Sequence, residues 1–297
     1  MAKDPKTIQE QLDLLEEREM QFRNITNAPH FLANISYYRL KGYWWEMQED
    51  FEEHIFQENV FFEDVIDLYN FDRHFRIIVF NAIERIEIAL RTKLIYHMSL
   101  TYGAEWYLEK EHFQSEHHHD IFVNKITDDI NESSEEFIQK HYDNHPDEEP
   151  ESWKALEIIT LNTLSKLFFN IKPQYPEKSK ITNEFGLNSS RDLASWFTTI
   201  TNIRNIIAHH GRLWNRVMIN SYKWPNSTRA PLLSYFPNVE RRKKIFPILS
   251  AIIYMNEKIS PGNSLKEELV TLIEKYPNTP LYKIGFPPKW KEEPIWK

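Results

Sequence analysis

The residues of this chain best suited to chemistry form one run, Arg204-Asn205-Ile206-Ile207-Ala208-His209-His210-Gly211-Arg212-Leu213-Trp214-Asn215-Arg216. It holds three arginines, two histidines and no carboxylate, in a chain whose formal net charge is -8. Imidazole gains and loses a proton near neutral pH, and guanidinium offers phosphate oxygens a fixed fork of donors. A cationic, proton-transferring cluster of this kind suits a phosphate-bearing substrate. The reaction it fits is RNA strand scission by internal transesterification. A base takes the proton of a 2′-OH, the oxygen attacks the adjacent phosphorus, and cations stabilise the charge that develops. His209 would serve as base or acid, and Arg204 would bind phosphate or orient the imidazole. No metal or other cofactor is expected. An ordinary helix end with a solvated cationic face would contain the same residue types.

Geometry sharpens these roles. At 100° per residue, a helix continuing from Asp192 places Leu193, Trp196, Ile200, Ile203 and Ile207 on one apolar face. Asn205, His209, Arg212 and Arg216 then line up on roughly the opposite face. Arg204 falls at the edge of the apolar face, half-buried, and a half-buried guanidinium needs a partner. The carboxylates of Glu84 or Glu87 are the best candidates. Gly211 is placed to end or bend this helix just after the histidines, which would loosen the wheel from Arg212 onward.

Those glutamates belong to the strongest periodic segment, about Glu63 to Ser99. Most of its circumference is apolar, so it is predicted to lie centrally. Asn81, Glu84, Glu87 and Arg91 share one narrow stripe of it. The stripe reads either as a solvated edge with a Glu87–Arg91 pair at i, i+4, or as a polar seam facing a site or a subunit partner.

The rest of the chain supports an α-rich fold. Of 297 residues, 41% are hydrophobic and 14% aromatic, which is ample material for a core, and only six are glycine. The absence of cysteine removes disulfides, thiolate nucleophiles and sulfur-ligated zinc from consideration. With 44 acidic against 36 basic residues, bulk charge does not favour nucleic acid, so any such binding must come from local patches. The polar start does not read as a signal peptide. The run Ile245 to Met255 is far shorter than the ~20 residues of a membrane span. A soluble cytoplasmic protein without a membrane partner is expected.

Helical spacing is predicted for Ile8 to Met20, for Phe31 to Gly42 with Tyr43, Trp44 and Trp45 behind it, and for Trp153 to Ile171. Residues 132 to 151 hold eight acids against Lys140 alone. With Pro146 and Pro150 they are expected to form an exposed loop or hinge. After a loop with Pro225, Pro231 and Pro237, a helix is predicted from Val239 to Ile259 and a short one from Leu265 to Tyr276. The proline-rich end should be extended and docked by Trp290 and Trp296.

Two other clusters carry residue types that bind ligands. Glu116-His117-His118-His119-Asp120 lacks the i, i+4 histidine spacing of a helical metal site and reads as an exposed polar turn, so no metal is expected there. Arg241-Arg242-Lys243-Lys244 reads as a solvated helix start, or as a guide for RNA backbone into a cleft.

Arg204-Asn205-Ile206-Ile207-Ala208-His209 resembles the R-x4–6-H signature of the HEPN superfamily of helical ribonucleases. The longer string through Arg216 resembles the signature of the AbiD/AbiF-like abortive-infection proteins of bacteria. Four further segments resemble that family in the same order: Ser36 to Trp44, Leu68 to Arg73, Ile83 to Arg91 and Tyr102 to Tyr107. The resemblance spans about residues 8 to 220. It implies a single all-α, HEPN-like helical bundle, with an N-terminal helical extension over 1–60, a core over 61–220 and a C-terminal helical appendage over 221–297. It implies an endoribonuclease toxin of phage defence, with Arg204 and His209 as the catalytic pair and Asn205 as the polar residue after the arginine. His210, Arg212, Asn215 and Arg216 would support catalysis or bind RNA. It further implies a homodimer whose two motifs face each other in a composite cleft, and restraint by an RNA or protein antitoxin. The alternative within the same superfamily is a catalytically silent RNA-binding or regulatory module.

Overall fold

The structure, a computed structural model, describes residues 4–218 and 222–297. It is all-α: among the described residues there are thirteen α-helices and no strand, only isolated bridges such as Phe113 with Ile171. The chain divides into two compact units.

The first unit comprises the residues up to Ile77 together with Leu269–Thr279. Helix α1 (Ile8–Glu17) opens with a capping box in which Thr7 and Glu10 satisfy each other's backbone N–H, and it buries Leu12 and Leu15. The single helix predicted over Phe31 to Gly42 is two, α2 (Ala28–Ile35) and α3 (Tyr37–Trp44). The break is Ser36, whose φ of 76° leaves the helical region while its hydroxyl accepts from the Arg39 N–H at 3.3 Å. A serine that competes for backbone hydrogen bonds is a natural breaker. The long helix α4 (Phe62–Tyr102) begins here. Its fully buried Asp72 accepts from the Tyr43 hydroxyl at 2.7 Å and from Arg76 Nε at 3.1 Å.

The second unit comprises Ile78–Glu268 and Pro280–Lys297. It continues α4 and adds α5 (Glu116–Asn131), α6 (Glu136–Asn144), α7 (Ser152–Ala155), α8 (Leu161–Asn170), α9 (Pro176–Glu184), α10 (Ser190–Ala208), α11 (Val239–Arg242) and α12 (Ile245–Ile259), with α13 (Leu265–Lys275) beginning at its end. Every residue of α12 from Ile245 to Asn256 is buried, which an all-apolar circumference requires. Against α12 packs α10, which also touches α8 and α9. Asn256 joins α12 to α4 by donating to the Ala82 carbonyl at 3.2 Å.

Several expectations change here. The acid-rich stretch 132–151 is not simply a loop, because α6 forms within it and buries Ile138 and His141. The predicted helix from Trp153 is interrupted between α7 and α8, where Arg91 donates to the carbonyls of Leu156 and Ile159 at 2.8 and 3.0 Å. Arg91 therefore satisfies a helix-free segment as well as pairing with Glu87 at 3.2 Å, and it is buried, not part of a solvated edge. The Val239 helix stops at Arg242 and restarts at Ile245. The proline-rich end folds as short 3-10 turns, with Trp296 stacked on Phe246 at 5.7 Å and donating to Ser250 at 2.9 Å. Among the described residues, no helix is long and apolar enough to cross a membrane.

Candidate active site at the end of helix α10

Helix α10 delivers the candidate residues. Ser189 caps its start by accepting from the Asp192 N–H at 3.2 Å. Leu193, Trp196, Ile200 and Ile203 are fully buried and Ile207 nearly so, which fixes the rotation of the helix about its axis. The helix ends at Ala208, several residues before Arg212, so the wheel that aligned Arg212 and Arg216 with His209 does not extend to them.

The termination is a Schellman turn. The Gly211 N–H donates to the Ile206 carbonyl at 2.8 Å and the His210 N–H to the Ile207 carbonyl at 2.9 Å. His210 takes the left-handed position, φ 55°, that glycine usually fills. Gly211 follows it because a Cβ there would stand 2.9 Å from the Ile206 carbonyl oxygen and 3.1 Å from the Ile206 side chain. Gly211→Ala is therefore expected to destabilise the protein by about 1–3 kcal/mol through overpacking. Urea unfolding measures this, and an alanine variant as stable as wild type would show that the turn does not depend on this close approach.

Beyond the turn the chain is anchored by Leu213 and Trp214, 0% and 2% exposed, and then folds back. Arg216 returns to the corner, with Nη1 3.7 Å from where a Gly211 Cβ would lie. The result is a depression of about 510 Å³ lined by Thr199, Asn202, Asn205, Ile206, His209, Gly211, Arg216, Val217 and Met218. His209 and Arg216 are exposed. Among the described residues, no carboxylate lines the depression. One imidazole, one guanidinium and three neutral polar side chains make a donor set for an anion rather than for a divalent cation.

The structure thus brings together three of the sequence-predicted residues, Asn205, His209 and Arg216. It leaves Arg204, His210, Arg212 and Asn215 outside the lining. Residues 204 and 209 stand about 140° apart on a helix. The Arg204 guanidinium accordingly lies over the Phe80 ring, 6.0 Å from its centre. Its expected partners do not pair with it: Glu87 pairs with Arg91, and among the described residues no carboxylate, that of Glu84 included, forms an ion pair with Arg204. Its Nε is buried without a hydrogen-bond partner. Arg212 lies over Trp214 at 5.9 Å. Asn215, with φ 49°, accepts from Lys244 Nζ at 3.3 Å.

Thr199 and Asn202 escaped sequence reasoning although their signal was available. Asn202 precedes His209 by seven residues, which returns to within about 20° of the same direction. Val217 and Met218 had no such signal, since only the turn brings them back.

The other clusters resolve simply. His117 and His118 are exposed in the first turn of α5, whereas His119 is buried and hydrogen-bonds the Tyr107 carbonyl through Nε2 at 2.9 Å. The run is therefore helical and partly core, not a polar turn. Among the described residues, no group of three or more His, Asp or Glu is arranged to hold a metal ion. Arg241 lies over Tyr235 at 4.6 Å, and Arg242 donates to the Tyr222 carbonyl at 2.7 Å. The Met218 N–H donates to the Lys243 carbonyl at 2.8 Å, so the second basic run abuts the depression.

Comparison with known proteins adds a family. The model described as Abi-like protein matches residues 30–215, taking in α10, its terminal turn and the Leu213–Trp214 anchors. No curated protein and no solved structure matches the chain. With well over half of its length inside that match, the chain belongs to the Abi-like protein family.

Proposed function

We propose that this protein is an abortive-infection endoribonuclease that cleaves RNA without a metal ion, with His209 moving the proton. The observation that supports it most is the acid-free depression in which an exposed imidazole and the Arg216 guanidinium meet. An imidazole held at the end of a rigid helix can take the proton from a 2′-OH. The 2′-oxygen then forms a bond to phosphorus as the bond from phosphorus to the 5′-oxygen breaks, and the departing oxygen takes up a proton. Arg216 is placed to neutralise the non-bridging oxygens, with Asn202 and Asn205 as neutral donors beside it. Among the described residues one copy offers a single lining histidine, so the second proton carrier comes from a second copy, as a homodimer with a composite cleft would provide. An RNA or protein antitoxin would act by covering that cleft.

One observation favours a second reading, an RNA-binding module without catalysis. Arg204, half of the resembled signature pair, faces Phe80 and does not line the depression. End chemistry separates the two. Purified protein incubated with RNA in EDTA is expected to yield fragments with 2′,3′-cyclic phosphate and 5′-hydroxyl ends. Cleavage that needs added Mg2+, or leaves 5′-phosphate ends, contradicts the mechanism. RNA that is bound and never cut selects the second reading.

A further inference from the structure

The acid-free character of the motif extends well past it. Residues 204 to 244 hold nine lysines and arginines and one acid, Glu240, although the whole chain is net negative. From outside the segment Glu293 adds a carboxylate, accepting from the Ser234 N–H at 2.7 Å and its hydroxyl at 3.0 Å, and the cations still outnumber the acids, an excess that attracts polyanions. The structure joins the segment's two ends through the Met218 N–H to the Lys243 carbonyl and through Lys244 to Asn215. Its periphery also carries apolar surface. Phe236 is 58% exposed, Val217 53% and Val239 48%, and Tyr235, the residue before Phe236, carries exposed Arg241 over its ring.

A bare phosphate or an acidic peptide would use the cations and leave Phe236 idle. A duplex would present phosphates with its bases stacked inside. Cations interleaved with an exposed aromatic ring suit a strand whose bases are free to stack. We infer that Phe236, Arg241 and Lys243 form a platform that holds single-stranded RNA alongside the depression. On this view Phe236 stacks a base, while Arg241 and Lys243 bind phosphates. Lys243 now pairs with Glu240 at 2.7 Å, an exposed ion pair that a phosphate can displace. Arg242, already committed to the Tyr222 carbonyl, is a positioning residue that holds α11 in place. The assignment of this strand as substrate rests on the proposed cleavage at His209, but the platform itself does not.

The test is fluorescence anisotropy with a labelled uridine-rich single-stranded RNA, the corresponding RNA duplex and heparin, across a salt series. All variants carry His209→Ala so that binding is read without turnover. Phe236→Ala is expected to weaken single-strand binding roughly 5- to 100-fold with little change in salt dependence. Arg241→Ala with Lys243→Ala is expected to flatten the slope of log affinity against log salt by about 0.7 for each phosphate no longer neutralised. Duplex or heparin bound as tightly as the single strand overturns the inference, as does an unchanged affinity in Phe236→Ala. Arg242→Ala is followed by thermal unfolding, where a lowered midpoint accompanies its positioning role. Platform and cleavage can fail separately: RNA bound as described but never cut by the wild type leaves the platform standing, while normal cutting by the wild type with unchanged affinity in the platform variants removes it.

Discussion

Changing His209 to Ala should leave the fold intact and lower RNA cleavage by roughly 100- to 10,000-fold, the range over which a positioned acid or base acts. The fold should survive because His209 is the exposed C-cap of α10, φ -88° and ψ 18°, and contributes its backbone N–H to the Asn205 carbonyl at 3.1 Å whatever its side chain. The expected picture is a variant with the wild-type circular dichroism and urea midpoint, no growth arrest on expression and intact total RNA. Cleavage that persists in this variant removes His209 from the mechanism. A variant that loses activity and unfolds says nothing of proton transfer, so His209→Gln, which keeps polarity and bulk, is measured beside it. Arg216→Ala should act differently, since it removes charge stabilisation and leaves the base in place. A loss of about 10²–10³ is the scale for removing one preorganised donor. Equal losses in both variants, with no further loss on combining them, would mean that the two side chains act as one unit.

How much of this was legible beforehand depends on which interactions decide each feature. The apolar face of α10 was readable because burial follows a 3.6-residue period, and Leu193, Trp196, Ile200 and Ile203 all lie in the core. The end of the helix was readable only to within a few residues. Gly211 signals termination, but a glycine in the usual left-handed position would place the last helical residues one step later than they are. Here the left-handed residue is His210, and Gly211 follows it because of the Ile206 carbonyl. With either residue in that position the helix ends before Arg212, so termination itself takes Arg212 and Arg216 off the helix and sends them along separate paths. Arg216 still reaches the depression, for a reason no wheel contains: the chain turns back after two buried side chains.

Arg204 shows a different limit. Its half-burial followed from its angle, but its neighbour did not, because the choice between a carboxylate and an aromatic ring is made by the packing of α4 against α10. Glu87 was expected to serve either Arg91 or Arg204, and two carbonyls of the α7–α8 connection draw Arg91 close enough to take it. The acid-rich stretch failed as a loop for a similar reason. Ile138 and His141 give α6 a buried edge that its net charge conceals.

Trp214, outside the lining of the depression, is expected to control its geometry. It is 2% exposed and follows Leu213, and together they pin the segment between Gly211 and Arg216 to the body of the unit. Trp214→Ala should cost about 3–5 kcal/mol, the usual range for deleting a buried tryptophan. A protein of ordinary stability has only about 5–15 kcal/mol to lose, so this change removes a large share of it. The more informative effect is on activity at temperatures where the variant is still folded. Freed from its anchor, the segment no longer holds Arg216 over Gly211, and a misplacement of about 1 Å can cost 10²-fold in rate. Cleavage should therefore fall further than the folded fraction measured by urea or heat accounts for. Trp214→Phe should recover most of the stability and part of the rate. If cleavage in Trp214→Ala simply tracks the folded fraction, the segment does not position Arg216, and catalysis resides on α10 alone.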